Sequence, residues 1–235
     1  MYSQSSKYYD LIYGYKNYQA ETEYLLEIIR PHISSQGKRL LDVACGTGRH
    51  IEYLKQYFEV EGLDINEEIL AFARRRNPEI RFHLGDMTNF SLDGSFDVVT
   101  CLFSSIGYVK TLENLHRAIQ CMARHVQPGG LLIIEPWFTP ENWHADTVHS
   151  MFIDEPDLKL ARINTSKAEG RLSYFDLHHL VGTPQDTEYF VERHEMGLFE
   201  TQEMDDALVQ AGLQVSYDPR GLTERGLFIG RKDQK

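Results

Sequence analysis

Residues 40–50, Leu40-Leu41-Asp42-Val43-Ala44-Cys45-Gly46-Thr47-Gly48-Arg49-His50 (LLDVACGTGRH), read as a short apolar strand, a glycine turn and the start of a helix. Glycine at 46 and 48 permits a tight turn and lets a ligand come close to the backbone. A dinucleotide fingerprint would need another glycine three positions after Gly48, and Ile51 stands there. A P-loop would need Gly-Lys-Ser/Thr, which is absent. The turn therefore suits a nucleotide-like ligand other than NAD.

Working outward, Asp64 ends the next apolar run. A carboxylate there can accept hydrogen bonds from both hydroxyls of a ribose. Gly85-Asp86-Met87 follows the third run. Its aspartate can take the amino group of an adenine, and the next residue offers a backbone N–H. Three such places at the C-terminal ends of adjacent strands form a ligand crevice of the kind open α/β sheets use.

The flanking pattern agrees. Strands at Arg39–Val43, Val60–Leu63, Ile80–Leu84, Phe96–Leu102 and Leu131–Glu135 alternate with helices at Ala20–Arg30, Arg49–Tyr57, Glu67–Arg76 and Leu112–Val126. Pro31, Asn77-Pro78 and Pro128-Gly129-Gly130 are the stop signals. This predicts an α/β, Rossmann-like, seven-stranded, mostly parallel sheet with helices on both faces. From about Met151 to Phe199 the runs Lys159–Asn164, Arg171–Val181 and Glu188–Leu198 alternate apolar and polar residues instead, with turn signals at Gly170 and Gly182-Thr183-Pro184. That predicts an inserted antiparallel meander. A helix (Gln202–Ala211) and two strands (Leu213–Tyr217, Gly226–Arg231) close the chain. The expected organisation is one domain: a lid and helix over 1–35, rich in tyrosine from Tyr2 to Tyr18, a cofactor-binding core over 36–136, the insertion over 137–200, and a closing helix and strands over 201–235.

Composition narrows the function. At 235 residues and 42% hydrophobic the chain can fill one sizeable core. Its net charge of −11 argues against binding a phosphate backbone. The basic run Arg74-Arg75-Arg76 falls at a helix C-terminus, where cations favour the negative pole. Cys45, Cys101 and Cys121 show no paired or metal-ligand spacing, so no disulfide and no metal are read. A reduced, cytoplasmic protein without a signal peptide or membrane span is the expectation.

With these motifs the chain resembles class I S-adenosylmethionine-dependent methyltransferases over nearly its whole length. LLDVACGTG matches their glycine motif, with Ala44 where many members carry a third glycine; GLDI (62–65) matches the acidic motif, and GDM (85–87) the adenine-side motif. A narrower resemblance is to the N,N-dimethyltransferases of TDP-linked amino sugars of the desosamine and mycaminose type. It rests on YDLIY (9–13), Lys16 with Tyr18, FSSIGY (103–108), the PGG…EPWF…PENW run (128–143), Ala161-Arg162 and RGLFIG (225–230).

The resemblance implies S-adenosylmethionine as cofactor and S-adenosylhomocysteine as product. It implies a cofactor set of Tyr18, Ala44, Gly46, Gly48, Asp64, Ile65, Asp86, Met87 and Phe103. Methyl transfer is an in-line displacement, so the protein must mainly hold nucleophile and methyl in line. An amine nucleophile must also be unprotonated, which a neighbouring acceptor of protons assists. Tyr13 and His125 are the catalytic candidates; Tyr13 is alternatively a packing lid aromatic, and His125 a helix-capping histidine. Lys16, Arg162, His178 and Arg225 are the acceptor-binding candidates, since arginine matches a pyrophosphate in a bidentate way. His178 and His179 must face opposite sides of a strand, so only one can face the site. Trp137, Phe138 and Trp143 either stack on a base or sugar or pack between insertion and core. The acceptor expected is a small sugar nucleotide, with an exposed strand edge that allows a homodimer. Another N- or O-acceptor, or a non-catalytic cofactor-binding module, stays open at this point.

Overall fold

The computed structural model describes residues 4–234; Tyr2, at the tyrosine-rich start, lies outside them. Seven strands form the main sheet: β1 (Arg39–Val43), β2 (Glu59–Asp64), β3 (Arg81–Leu84), β4 (Phe96–Cys101), β5 (Val126–Ile134), β10 (Leu213–Asp218) and β11 (Leu227–Lys232). Their order is β10-β11-β5-β4-β1-β2-β3. Strands β1 to β5 run parallel, and β11 lies antiparallel to both β5 and β10. Every residue of β4 and all but the first of β1 are buried. Such unbroken burial is what strands covered on both faces show.

Helices supply the cover. On one face α5 (Leu112–Arg124) and α6 (Thr201–Gln210) contribute Leu115, Ile119, Met122 and Leu208 to the core. On the other, α2 (Tyr18–His32), α3 (Arg49–Leu54) and α4 (Glu67–Arg76) contribute Leu25, Ile29, Ile51, Leu54 and Leu70. The 3–4 spacing of these residues gives each helix one apolar stripe. A single-turn helix, α1 (Tyr9–Ile12), precedes α2.

The chain runs β1, β2, β3 toward one edge and then crosses back to β4 beside β1. The crevice at this reversal, above the strand C-termini, is where doubly wound sheets bind ligands. The insertion forms a second, antiparallel sheet of β6 (Val148–Glu155), β7 (Leu158–Glu169), β8 (Leu172–Gly182) and β9 (Thr187–Gly197), in that order.

Three details depart from the sequence pattern. Strand β5 starts at Val126 rather than Leu131, carrying Pro128-Gly129-Gly130 within it, and its pairing with β4 is irregular between Phe96 and Val98. Gly130 fits there because a Cβ would lie 2.6 Å from the Asp97 carbonyl oxygen. Pro31, expected to end α2, sits in its last turn. Strand β6 extends three residues ahead of Met151 and completes a fourth strand, where the pattern marked three.

Candidate active site

The glycine turn takes its shape from left-handed backbone at Ala44, Gly46 and Gly48 (φ 58°, 57° and 74°). Asp64, at the end of β2, holds it: one carboxylate oxygen accepts from the Gly46 N–H (2.9 Å) and the other from the Asn66 N–H (2.9 Å). Burial pushes the Asp64 carboxyl up, while the backbone donors at Asn66, Gly46 and Ile65 oppose the rise. A cavity of about 500 Å³ opens beside it, and Ala44, Gly46, Asp64, Ile65, Asp86 and Met87 all line it. A Cβ on Gly46 would meet no atom within 4 Å, so it would project into open space where a ligand can touch bare backbone. Asp86 is fixed by Thr88, whose N–H and hydroxyl both donate to its Oδ1 (2.8 and 2.9 Å). Gly48 does not line the cavity. A Cβ there would lie 2.9 Å from the Asn77 amide nitrogen, so this glycine serves packing at the head of α3.

The cavity continues into a small recess lined by Tyr9, Tyr18, Asp42, Arg49, His50 and Phe103 among others. Tyr18 is buried and meets His50 edge-on, 4.9 Å between centroids. Asp42 accepts a hydrogen bond from the Thr100 hydroxyl (2.8 Å), and burial pushes its carboxyl up to about 6. The Arg49 Nε is buried without a hydrogen-bond partner among the described residues. A carboxylate and a guanidinium facing one recess complement a ligand end that carries both an ammonium and a carboxylate. Arg49 directly follows the glycine motif and Asp42 lies within the quoted stretch, so proximity was the available signal for both.

A second cavity, about 360 Å³, lies between the lid and the inner face of the second sheet. Tyr13, Trp137, Phe138, Trp143, Arg162 and Phe175 line it. Tyr13 stands between the two cavities, its ring edge-on to Phe103 at 5.3 Å. Arg162 carries its guanidinium 5.7 Å from the Tyr13 ring, and its Nε is buried without a hydrogen-bond partner among the described residues. Arg225 sits among three aromatic rings, 5.4 Å from Trp137, 5.3 Å from Phe138 and 5.9 Å from Phe103. Burial lowers its pKa, with Glu135 opposing. Glu135 anchors this corner: it accepts from the Phe103 N–H (2.7 Å) and from the Thr223 hydroxyl. Phe103 and Ser104 both have left-handed backbone (φ 51° and 61°), so this contact holds a strained turn.

Three expectations need correction. His125 lies at the opposite end of the sheet, where its carbonyl accepts the Phe96 N–H at the start of β4. Its Nδ1 lies 2.8 Å from the Cys121 carbonyl, its Nε2 accepts the Leu92 N–H (3.1 Å), and its ring stacks on Phe90. It is the capping histidine. His178 points to the outer face, paired with the Tyr189 hydroxyl at 2.6 Å; buried His179 turns inward and stacks on Phe190. Lys16 commits its charge to Glu21 (2.8 Å) and lies over Phe103 at 3.8 Å, away from the aromatic cavity.

The chain is similar to known proteins over nearly its whole length. A family model described as a methyltransferase domain matches residues 40–130. The dTDP-3-amino-3,6-dideoxy-alpha-D-glucopyranose N,N-dimethyltransferase of Streptomyces fradiae is 39% identical over 226 residues, spanning 94% of this chain and 88% of its own. The chain belongs to this family of S-adenosylmethionine-dependent methyltransferases. Among solved structures, Streptomyces venezuelae DesVI superposes on the methyltransferase with a TM-score of 0.92 at 35% identity, covering 99% of this chain and all of that one. S-adenosylmethionine-bound CalS10, an amino pentose methyltransferase from Micromonospora echinaspora, gives 0.87 at 34% identity over 99% and 98% of the two chains. Residues 40–130 of the methyltransferase run from β1 into β5 and contain the glycine turn, Asp64 and Asp86.

Proposed function

We propose that the enzyme N-methylates the amino group of a dTDP-linked amino sugar. The observation that carries this is the aromatic cavity lined by Arg162, with the Arg225 guanidinium packed against its Trp137 and Phe138 walls, beside the edge-on contact of Tyr13 with Phe103 of the donor recess. The aromatic walls suit a pyrimidine and a sugar face, and the guanidinium groups suit a pyrophosphate. The Streptomyces fradiae relative is a dTDP-amino-sugar N,N-dimethyltransferase, which supports the same acceptor class.

S-adenosylmethionine supplies an activated methyl group and its own leaving group, so the reading assigns no metal ion. Asp64 and Asp86 would hold the ribose and adenine, Gly46 and Ala44 the adjoining backbone contacts, and Ile65 and Met87 the adenine faces. Tyr18, Asp42 and Arg49 would hold the amino-acid end, with Phe103 beneath. Tyr13 would align the acceptor nitrogen with the methyl group. His144 and His149 also line the aromatic cavity.

The test is thermal protection. With S-adenosylhomocysteine present, dTDP should raise the melting temperature, and replacing Arg162 or Arg225 with Met should abolish the rise. No protection by dTDP in the parent enzyme would sink the acceptor assignment.

We further propose that the enzyme is a homodimer and works in the cytoplasm, where Cys45, Cys101 and Cys121 stay free thiols as they are here. The outer face of the second sheet carries the row Phe152, Ala161, Leu180 and Tyr189 across all four strands. Phe152 is 73% exposed and Tyr189 63%. An apolar band this wide suits a second copy of the chain.

A further inference from the structure

The three consecutive arginines that end α4 have three different fates. Arg74 pairs with exposed Glu67 (2.6 Å), and Arg75 lies over the Phe72 ring at 4.4 Å. Arg76 alone turns to the glycine turn. Its Nη1 donates to the Thr47 carbonyl (2.6 Å) and its Nη2 to Asp10 (2.5 Å), while its Nε lies 3.5 Å from Glu52. Asp10 uses its other oxygen to accept the Thr47 hydroxyl (2.7 Å). Thr47, between the two glycines, is buried at 2% exposure. A closed set of three contacts therefore ties α1 to the residue beside Gly46.

Helix α1 is one turn long, too short to hold its place by propensity. It carries Tyr9, which lines both parts of the donor cavity, and is followed at once by Tyr13. On the far side the segment is seated against the second sheet. Ile12 is buried with Leu160, Val181 and Phe190, and Lys7 and the Ser5 N–H bond Glu188 and Glu192 of β9. At the centre of the seat Ile12 is 2% exposed, with the polar Lys7–Glu188 pair at its rim, while at the clasp 20% of the Arg76 side chain and 31% of the Asp10 side chain are exposed. Water reaches the clasp and the rim pair but not the apolar centre of the seat.

We propose that Asp10 and Arg76 are positioning residues that clasp α1 onto Thr47, hold Tyr9 over the bound donor, and set the rate at which the spent donor leaves. The segment opens at the clasp and stays seated on β9. This rests on the donor reading of the cavity and not on the acceptor. Where one amine takes two methyl groups, the clasp must open between rounds to admit a fresh donor.

The test follows dissociation of S-adenosylhomocysteine from the full-length enzyme by stopped flow, with no acceptor present, so it stands apart from any failure of the sugar-nucleotide assignment. Arg76→Met and Asp10→Asn should each speed dissociation on the order of tenfold. The double variant should be no faster than either single, because both break one clasp. Added salt should speed release from the parent and not from the double variant. Arg76→Lys should recover part of the slow release, and the donor KM should rise more than kcat falls. Should Arg76→Met fold poorly, the near-isosteric Asp10→Asn carries the same readouts. Parent-like dissociation, additive effects, or lower melting temperature with unchanged release and salt dependence would each overturn the proposal.

Discussion

The Asp42 carboxyl is almost fully buried beside the glycine turn, with the Thr100 hydroxyl as its hydrogen-bond donor. Burial pushes it up to about 6 from an ordinary 3.8, with His50 and Thr100 pulling the other way and Asp64 adding to the rise. Between those two values the folded enzyme binds a proton that the unfolded chain has lost. Its contribution to stability therefore falls as pH rises from about 4 to about 6, and is flat above. Asp42→Asn removes that cost, so its melting temperature without ligand should gain on the parent's as pH rises from 5 to 8; a pH-independent difference would contradict this. Glu135 works in the opposite sense, as an anchor. Glu135→Ala leaves the Phe103 N–H and the Thr223 hydroxyl without their partner, which should cost about 2–4 kcal/mol in denaturant melts. It should also slow turnover more than Glu135→Gln does. At this scale legibility was uneven. The place of Asp64 and Asp86 at the mouth of the large cavity was readable because strand ends fix where they stand. His125, His178 and Lys16 were not, because strand phase and ion-pair choice depend on neighbours distant in sequence, such as Leu92, Tyr189 and Phe103.

Among the elements, α4 ran over Glu67–Arg76 as its pattern predicts, since Asn66 caps its first turn and Asn77-Pro78 closes it. The start of β5 was hidden because Pro128-Gly129-Gly130 is ordinarily a turn, and here an irregular pairing with β4 absorbs it. Strand β6 was cut short because it is an edge strand with most residues exposed, which erases the alternation that marks a half-buried strand. The glycine turn offers a test that separates its two glycines. Both have positive φ, so alanine at either should cost about 1–2 kcal/mol of stability. Only Gly46 lines the donor cavity. Gly46→Ala should weaken S-adenosylhomocysteine binding in calorimetry, whereas Gly48→Ala should lower the melting temperature with binding nearly intact. Equal losses of affinity would show that the turn acts as one unit.

For the molecule as a whole, the parallel core, the two helical layers and the antiparallel insertion were all legible, because each rests on a period of hydrophobicity repeated over many residues. The relation of the two sheets was not, since it rests on contacts between residues distant in sequence, such as Tyr108 with His194 and Lys110 with Glu195. The lid brings Tyr13 to the aromatic cavity and against Phe103 of the donor recess. On the outer face of the insertion, Leu180→Arg should convert a dimer to a monomer in sedimentation, leaving the melting temperature nearly unchanged; a parent that already sediments as a monomer would contradict the interface. On the proposed function, this crevice moves a methyl group from S-adenosylmethionine to the amine of a nucleotide-linked sugar held by Arg162 and Arg225. The most direct measurement is the mass of a dTDP-amino sugar after incubation with enzyme and donor. A gain of one and then two methyl groups, lost when Arg162 and Arg225 are replaced by Met, is the expected result. A donor that binds tightly while no dTDP-amino sugar gains mass would contradict it.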